Sequence, residues 1–252
     1  MRITVALTPA LLRDPGGSAV AVVDVLRATT TLVAMFDAGL EHVFVSDTIQ
    51  QARKVAIEQA ALLCGEVKSV QPAGFDYGNS PAELARAAVA GRRAVLFTTN
   101  GSRALVRSAS APFVAAAALT NRAAVAERLL AEADARGTDI AVVCAGTERG
   151  TAFSLEDTAA AGAVVERVHE ADRAVVMTDE AWAALHLWHW YRCEPERVFR
   201  ESTHARALRA LGFEEDLAFA ARVDASPTVP VLGIEGGLPV LRPWRSSVLK
   251  PA

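Results

Sequence analysis

Short apolar runs rich in β-branched residues alternate with stretches in which apolar side chains recur every three or four positions. The first pattern predicts buried strands and the second predicts helices with one apolar face. Strands are predicted over residues 2–7, 19–25, 42–45, 61–64, 93–98, 113–116 and 140–144. Helices are predicted over residues 29–38, 48–59, 101–108, 121–135 and 155–169. This alternation indicates an α/β fold with a mostly parallel sheet covered by helices.

The pattern changes after Ala171, where helical spacing dominates. Helices are predicted over residues 178–191, 194–202, 203–211 and 214–221, followed by short strands over 229–232 and 239–241. No low-complexity linker marks a boundary between the two regions. We therefore predict one three-layer α/β/α domain over residues 1–252, in which a helix-rich region of about 172–222 packs on or beside the sheet as a C-terminal elaboration.

Composition narrows the class of protein. Hydrophobic residues make up 52% of the chain and the net charge is −3, which argues against a broad nucleic-acid-binding surface. The N-terminus does not resemble a signal peptide, and no apolar run reaches the roughly 20 residues that span a bilayer. The odd number and wide spacing of the cysteines fit a reducing compartment, with Cys64 and Cys144 as buried core thiols. We expect a cytoplasmic protein without nucleic-acid or membrane partners, and the apolar helix around 182–190 weakly favours a homodimer.

Polar and small residues follow several of the predicted strands. In open parallel sheets, ligands bind beyond the carboxyl ends of the strands. The segments at these ends should therefore converge on one edge of the sheet. They are residues 24–31 (DVLRATTT), 65–66 (GE), 98–102 (TTNGS) and 144–148 (CAGTE).

The segment 24–31 combines three features that suit an anionic ligand. Asp24 ends an apolar strand, where a carboxylate is costly unless it meets a cation or hydrogen-bond donors. Arg27 offers a planar fork that matches phosphate or carboxylate. Thr29, Thr30 and Thr31 begin a helix, whose free backbone N–H groups attract anions. A structural alternative remains open, in which threonine caps the helix and Asp24 pairs with Arg27.

Two further segments have the composition of binding loops. Asp76 and Asn79 flank a glycine, and Ser80 then caps a short helix that opens with proline, so a capped turn is the alternative reading. In residues 98–102, a strand, a small polar loop and a helix form a second possible anion cradle around Gly101. This loop lacks the lysine and spacing of a P-loop, so nucleoside triphosphate binding is not supported.

Five carboxylates follow strand ends and would repel one another if they converge. Glu148, Glu156 and Asp157 lie after one strand, and Asp24 and Glu66 follow neighbouring ones. A hard divalent cation would relieve this repulsion, and oxygen-only ligands point to Mg²⁺ rather than Zn²⁺. The alternative for Glu156 and Asp157 is a favourable position in the first turn of a helix.

The histidines give weaker signals. His186 and His189 have no adjacent glutamate in a zinc-protease arrangement, and we interpret them as partly buried helix residues. His204 lies near Arg206 and Arg209, which could help to bind an anion, but a solvated helix face is the preferred interpretation.

The ordered set of segments resembles the 2-phosphosulfolactate phosphatase family. The likeness runs from about Val20 to Pro230 and rests on residues 24–31, 65–66, 74–81, 98–102, 144–148 and 153–157, with a weaker match at 211–216. The resemblance implies an α/β/α fold and a Mg²⁺-dependent phosphatase that converts 2-phosphosulfolactate to sulfolactate and phosphate, a step toward coenzyme M. That route is typical of methane-producing archaea, whereas the alanine- and arginine-rich composition is typical of bacteria. We therefore expect 2-phosphosulfolactate or a similar small acidic phosphate monoester as substrate.

Roles for the candidate residues follow from the chemistry of phosphoryl transfer, which needs charge neutralisation and a positioned water. Leu26 occupies the position where a phospho-enzyme mechanism of the haloacid dehalogenase type needs a second acid, so we favour direct attack by water that the metal holds. A non-catalytic anion-binding protein and a metal-dependent lyase acting on a hydroxy acid remain as alternatives. The predicted catalytic residues are Asp24, Arg27, Glu66 and Asn100. The predicted substrate-binding residues are Thr29, Thr30, Thr31, Asp76, Asn79, Ser80, Gly101 and Ser102. The predicted Mg²⁺ ligands are Asp24, Glu66, Glu148, Glu156 and Asp157.

Overall fold

The computed structural model describes residues 1–245, and within that range ten strands form one sheet. The strand order is β4-β5-β3-β10-β9-β6-β2-β7-β1-β8. The predicted α/β class is confirmed, and the first seven predicted strands agree with the structure to within two residues. The strands are β1 (Arg2–Ala6), β2 (Ser18–Val23), β3 (His42–Ser46), β4 (Leu62–Gly65), β5 (Arg93–Phe97), β6 (Phe113–Ala117), β7 (Asp139–Cys144), β8 (Val176–Met177), β9 (Thr228–Glu235) and β10 (Leu238–Arg245).

An antiparallel hairpin occupies the centre of the sheet. β9 pairs with β6, β10 pairs with β3, and both of these pairings are antiparallel, as is the pairing of β9 with β10. The hairpin thus joins two parallel blocks, β4-β5-β3 and β6-β2-β7-β1-β8. The sequence predicted only short strands here because Pro230, Pro239 and Pro243 interrupt the pattern that marks a strand.

Helices cover both faces of the sheet, as the three-layer prediction requires. α5 and α6 contact β2 and β7 on one face, whereas α1 and α4 contact β6, β9, β2 and β3 on the other. α2 packs on β3 and β5 through a small third core that includes Phe44 and Val95. These five helices and the short α3 are α1 (Ala28–Asp37), α2 (Ile49–Glu58), α3 (Pro81–Leu84), α4 (Gly101–Ser108), α5 (Arg122–Arg136) and α6 (Leu155–Ala171).

The helices that follow α6 in the chain add their apolar side chains to the core formed by α5 and α6. Trp188, Phe199, Leu208 and Leu217 are buried in the same core as α5 and α6, so the helix-rich region packs onto the main layer. β8, a two-residue edge strand paired with β1, escaped prediction because it is too short to show a pattern. No helix in residues 1–245 is long and apolar enough to cross a bilayer. The remaining helices are α7 (Asp179–Trp190), α8 (Pro195–Glu201), α9 (Thr203–Ala210) and α10 (Glu214–Ala220).

Candidate active site

Asp24 lies in the turn that joins β2 to α1 and is almost fully buried. The backbone N–H of Ala28 donates to Asp24 Oδ1 at 3.2 Å, so the first residue of α1 fixes the carboxylate. Gly101, the first residue of α4, lies against the other side of Asp24. A Cβ at Gly101 would stand 2.5 Å from Asp24 Oδ2, so only glycine allows this approach. The segments after β2 and β5 therefore meet, as predicted from the strand-end rule.

Asp157 joins a third segment to Asp24. It lies in the first turn of α6, where Ser154 caps the helix by accepting from the Asp157 N–H at 3.2 Å. Asp157 Oδ1 accepts from the N–H of Val25 at 2.9 Å, and Oδ2 accepts from the N–H of Gly146 at 3.1 Å. Both oxygens thus bind the backbone just beyond β2 and β7, which locks the ends of these strands together.

Glu66 brings in the segment after β4. Its two carboxylate oxygens accept from the N–H groups of Thr99 and Ser69, each at 2.6 Å. Thr99 follows β5, so Glu66 spans the ends of two strands. Four of the five predicted metal ligands, Asp24, Glu66, Glu156 and Asp157, therefore lie in one buried acidic group, which we call the carboxylate cluster.

Burial and mutual repulsion raise the pKa of two carboxyl groups of this cluster, Asp24 and Asp157. Burial raises the pKa of Asp24 to about 6, the charge of His204 opposes this rise, and Glu66 and Glu156 add to it. Burial also raises the pKa of Asp157 well above its usual range, with further contributions from Asp24 and Glu156. A cluster that resists full ionisation without a cation has the electrostatics of a metal or proton-transfer site.

Glu148 is exposed, unlike the members of the carboxylate cluster, and lies in a turn with a positive φ of 51°. The physical reason for this exposure is the tight turn 147–152, in which the Thr147 N–H donates to Ala152 O at 2.9 Å and redirects the chain outward. The assignment of Glu148 as a metal ligand stays a prediction.

The Arg27 guanidinium contacts three groups within the protein. Its Nη1 donates to Asp216 Oδ2 at 2.7 Å, its Nη2 donates to Ser69 O at 2.7 Å, and its guanidinium stacks 4.1 Å from the centre of the Phe213 ring. α10 thus supplies a buried partner for Arg27, and a direct contact between Arg27 and phosphate stays a prediction. Asp24 does not pair with Arg27, so the alternative ion pair is wrong.

The hydroxyl groups of Thr29, Thr30, Thr31 and Ser102 form hydrogen bonds within the protein. Thr29 Oγ1 donates to Asp24 O, Thr30 Oγ1 to Val25 O and Thr31 Oγ1 to Asn79 O. Ser102 is fully buried and exchanges hydrogen bonds with Thr98. These bonds use the hydroxyl groups as donors within the protein, whereas the predicted anion contact at Thr29–Thr31 rests on the backbone of the helix start and, like that of Ser102, stays a prediction.

The segment 76–80 divides into structural and open positions. Asp76 is exposed and accepts from the Leu63 N–H at 2.8 Å, so it supports β4 rather than a ligand. Ser80 caps α3 and donates to Asp216 Oδ1 at 2.5 Å, so the capped-turn alternative describes it. Asn79 differs, because its Oδ1 is buried and has no hydrogen-bond partner among the described residues. Asn79 is the member of this segment with unused hydrogen-bonding capacity.

Asn100 links the loop after β5 to the turn after β7, beside the carboxylate cluster. Its Oδ1 accepts from the Arg149 N–H at 2.8 Å, which brings the exposed turn after β7 beside the start of α4. Asn100 and Gly101 remain candidate ligand-binding residues because the N-terminus of α4 adjoins Asp24.

Two residues near the cluster escaped sequence reasoning. His204, on α9, has the strongest charge effect on Asp24, although the sequence favoured a solvated helix face for it. Asp216, on α10, organises Arg27 and Ser80. The weak motif at 211–216 was the only sequence signal for Asp216.

Two other predictions concern residues away from the cluster. His186 and His189 are exposed rather than partly buried, so that interpretation is wrong, whereas Cys64 and Cys144 are buried as predicted.

The donor set of the carboxylate cluster suits a hard cation. All its donors are oxygens, and no hydrogen bond to Asp24 Oδ2 is found in the part of the chain that the structure describes. Among the described residues, no three of these carboxylates bring ligand atoms within 4.8 Å of one another. Mg²⁺ fits such an arrangement, because it binds one or two protein carboxylates and completes its shell with water and substrate phosphate.

The fold and this cluster define an α/β enzyme whose site lies at the carboxyl ends of its strands. A sequence profile described as 2-phosphosulpholactate phosphatase matches residues 6–234, so the chain belongs to this family. Membership places it among the phosphoric monoester hydrolases.

Several relatives carry the same family name. The chain is 41% identical over 222 residues to a protein of Parasynechococcus marenigrum (strain WH8102), covering 86% of this chain and 90% of that protein. It is 40% identical over 211 residues to one of Thermotoga petrophila (strain ATCC BAA-488 / DSM 13995 / JCM 10881 / RKU-1), covering 84% and 87%. It is 39% identical over 237 residues to one of Synechococcus sp. (strain CC9605), covering 91% and 96%. Each of the three is named a probable 2-phosphosulfolactate phosphatase.

Proposed function

We propose that this protein hydrolyses 2-phosphosulfolactate, or a similar small acidic phosphate monoester, to the hydroxy acid and inorganic phosphate with the help of Mg²⁺. The observation that carries this proposal is the buried carboxylate cluster around Asp24, placed where the ends of β2, β4, β5 and β7 converge. The family and the names of the relatives supply the substrate class.

Asp24 is the proposed first ligand of Mg²⁺, because its Oδ2 faces the start of α4. Glu66, Glu156 and Asp157 are the proposed further ligands, directly or through water, and Glu148 is omitted from the set. When bound, the ion would neutralise the cluster, hold phosphoryl oxygens and polarise the phosphorus–oxygen bond. Asp157 contributes in any case by fixing the backbone at Val25 and Gly146.

The phosphoryl group is proposed to bind at the start of α4, where the dipole of an eight-residue helix favours an anion. Asn100 and Gly101 lie at this helix start. Asn79 is proposed to accept a hydrogen bond from a water molecule or a hydroxyl group at the bound substrate, since its Oδ1 is buried without a partner among the described residues. The exposed Arg149, anchored through its backbone to Asn100, is proposed as a further anion-binding residue, since the Arg27 guanidinium is paired with Asp216.

Hydrolysis needs a water molecule that attacks phosphorus and a proton that goes to the departing hydroxy-acid oxygen. We propose direct attack by water, and His204 as the proton donor, because it is half-buried beside Asp24. Arg27, Ser80 and Asp216 position the segment around this site and do not touch the substrate.

Phosphate release from 2-phosphosulfolactate and a panel of small phosphate monoesters tests the proposal. The assay uses Mg²⁺ or EDTA, with the wild type, Asp24→Asn and the exposed control Glu148→Gln. We expect release that requires Mg²⁺, falls at least about 100-fold in Asp24→Asn and persists in Glu148→Gln. A folded protein that binds phosphate or sulfonate but releases none would replace this proposal with a non-catalytic binding protein.

Cellular context completes the proposal. We propose the cytoplasm as the location of the protein, supported by three unpaired cysteines. We propose that it produces sulfolactate for coenzyme M where that route exists.

We also propose a homodimer through α7, supported by Trp182 and Trp190, which are 43% and 74% exposed. Light scattering of the wild type and Trp190→Glu tests the dimer, which the substitution should dissociate.

A further inference from the structure

Three side chains of different chemistry converge at the far end of α6, away from the carboxylate cluster. Ligand atoms of Glu166, His189 and Cys193 all lie within 4.8 Å of one another. Glu166 Oε1 lies 2.7 Å from His189 Nε2 and 3.8 Å from Cys193 Sγ. Glu166 and Glu156 are ten residues apart on the same helix, so about 15 Å separates this group from the proposed active site.

We propose that Glu166, His189 and Cys193 form a second metal site, which binds Zn²⁺ through one oxygen, one nitrogen and one sulfur atom and leaves a fourth position for water. Imidazole and thiolate are ligands that Zn²⁺ prefers and Mg²⁺ does not. In a tetrahedral zinc site, oxygen and nitrogen ligands stand about 3.3 Å apart, and oxygen and sulfur about 3.5 Å. The observed 2.7 and 3.8 Å differ from these separations by about 0.6 and 0.3 Å, so the direct contact between Glu166 and His189 must open to admit the ion, which the exposed His189 and Cys193 side chains allow.

A supporting shell already orients Glu166. Arg122 Nη1 and Trp188 Nε1 both donate to Glu166 Oε2, at 2.8 and 3.1 Å, which leaves Oε1 facing the histidine and the cysteine. Such outer contacts fix the orientation of metal-binding carboxylates. The carboxylate is buried by 84% of its side-chain surface, yet the site opens to solvent at His189.

Charge balance permits a cation beside Arg122. A carboxylate, a thiolate and a neutral imidazole carry a total charge of −2, which Zn²⁺ cancels. Binding converts the Cys193 thiol to a thiolate and releases its proton to water. Arg122 keeps its second partner, since its Nε also donates to Asp224 at 3.0 Å. The bound ion would tie α6 to the end of α7 and the turn that follows it.

Co²⁺ replaces Zn²⁺ as a spectroscopic probe of the purified, reduced full-length chain in excess Mg²⁺. We expect a thiolate-to-cobalt charge-transfer band and tetrahedral d–d bands, both displaced by Zn²⁺. Cys193→Ser should abolish the charge-transfer band, and His189→Gln should weaken Co²⁺ binding at least about tenfold. His186→Gln, an exposed histidine on the same helix, is the matched control and should bind as the wild type does.

Alkylation gives an independent readout, because Cys193 is exposed whereas Cys64 and Cys144 are buried. Zn²⁺ should slow iodoacetamide modification of Cys193 at least about tenfold, measured by mass spectrometry. A chain that shows no charge-transfer band and no protection at saturating Zn²⁺ would reduce the group to an ion pair and overturn the proposal. Phosphate release by Cys193→Ser should equal that of the wild type, so the result is independent of the proposed function.

Discussion

Arg27 and Asp216 form a buried ion pair across 189 positions of sequence, with 2.7 Å between Arg27 Nη1 and Asp216 Oδ2. Each side chain is 2% exposed. The pair ties α10 to the turn before α1, and Asp216 also accepts from Ser80 at the start of α3. One carboxylate in the C-terminal elaboration thus fixes two segments around the proposed active site.

Asp216→Asn should destabilise the protein, because it leaves the Arg27 guanidinium buried without a counter-charge. We expect the free energy of unfolding to fall by about 3 kcal/mol, measured by urea denaturation. The matched control is Glu215→Gln, the neighbouring residue, which pairs with Arg86 at the exposed surface and should cause no measurable change. Equal stability of the two variants would show that the buried pair does not hold α10 in place.

Gly101→Ala should displace Asp24. The new Cβ would lie 2.5 Å from both Asp24 Oδ2 and Ala28 Cβ, so the start of α4 must shift away from the cluster. We expect phosphate release to fall at least about tenfold and stability to fall by about 1–3 kcal/mol. Gly233→Ala, whose Cβ would meet only Val240 O at 4.0 Å, is the control for a harmless methyl group. Full activity in Gly101→Ala would mean that close contact with α4 is not needed at Asp24.

Without Mg²⁺, Asp24→Asn should stabilise the protein at neutral pH. The folded-state pKa of Asp24 is raised from 3.8 to about 6 by burial, so the folded protein keeps a proton that the unfolded chain loses between these values. The contribution of Asp24 to stability is therefore fully present below pH 3.8 and is lost as pH rises through 6. Relative to the wild type, the variant should gain on the order of 1–3 kcal/mol above pH 6 and almost nothing at about pH 3, by urea denaturation.

Mg²⁺ should reverse this difference at pH 8, because it stabilises only the wild-type cluster. Asp134→Asn, at an exposed aspartate on α5, controls for the loss of one negative charge and should follow the wild-type profile. A wild-type profile that matches Asp24→Asn at every pH would contradict the buried, proton-holding state of Asp24.

Local pattern predicted the parallel blocks, the helices and the convergence of Asp24, Glu66 and Asp157, because period and strand-end position are local properties. The hairpin β9-β10 was underestimated, since prolines break its pattern and its place between β6 and β3 depends on distant pairing. The pairing of Arg27 could not be predicted for the same reason, because its partner lies on α10. The hydrogen bonds of the hydroxyl groups at the start of α1 could not be predicted either, since a sequence does not distinguish a hydroxyl that binds the backbone from one that binds a ligand.

His204→Gln should slow the hydrolysis of alkyl phosphates selectively. If His204 protonates the departing oxygen, kcat for 2-phosphosulfolactate should fall about 100-fold, whereas 4-nitrophenyl phosphate, whose leaving group needs little protonation, should lose far less. Arg206→Gln, on the same helix and exposed, should change neither rate. Equal losses for both substrates would assign His204 a positioning role instead.

Mg²⁺ and phosphate should bind cooperatively. Since no three carboxylates of the cluster bring ligand atoms within 4.8 Å of one another in the described chain, the protein alone offers few ligands, and a bound phosphate would complete the shell. We expect saturating phosphate to raise the affinity for Mg²⁺ at least about fivefold, and Mg²⁺ to raise the affinity for phosphate by the same factor, by isothermal titration calorimetry. Asp24→Asn should lose this coupling and Glu148→Gln should keep it. Equal affinity for Mg²⁺ with and without phosphate would instead mean that the protein alone supplies all the ligands it needs. Loss of the coupling in Glu148→Gln would mean that Glu148, in the exposed turn 147–152, is a metal ligand.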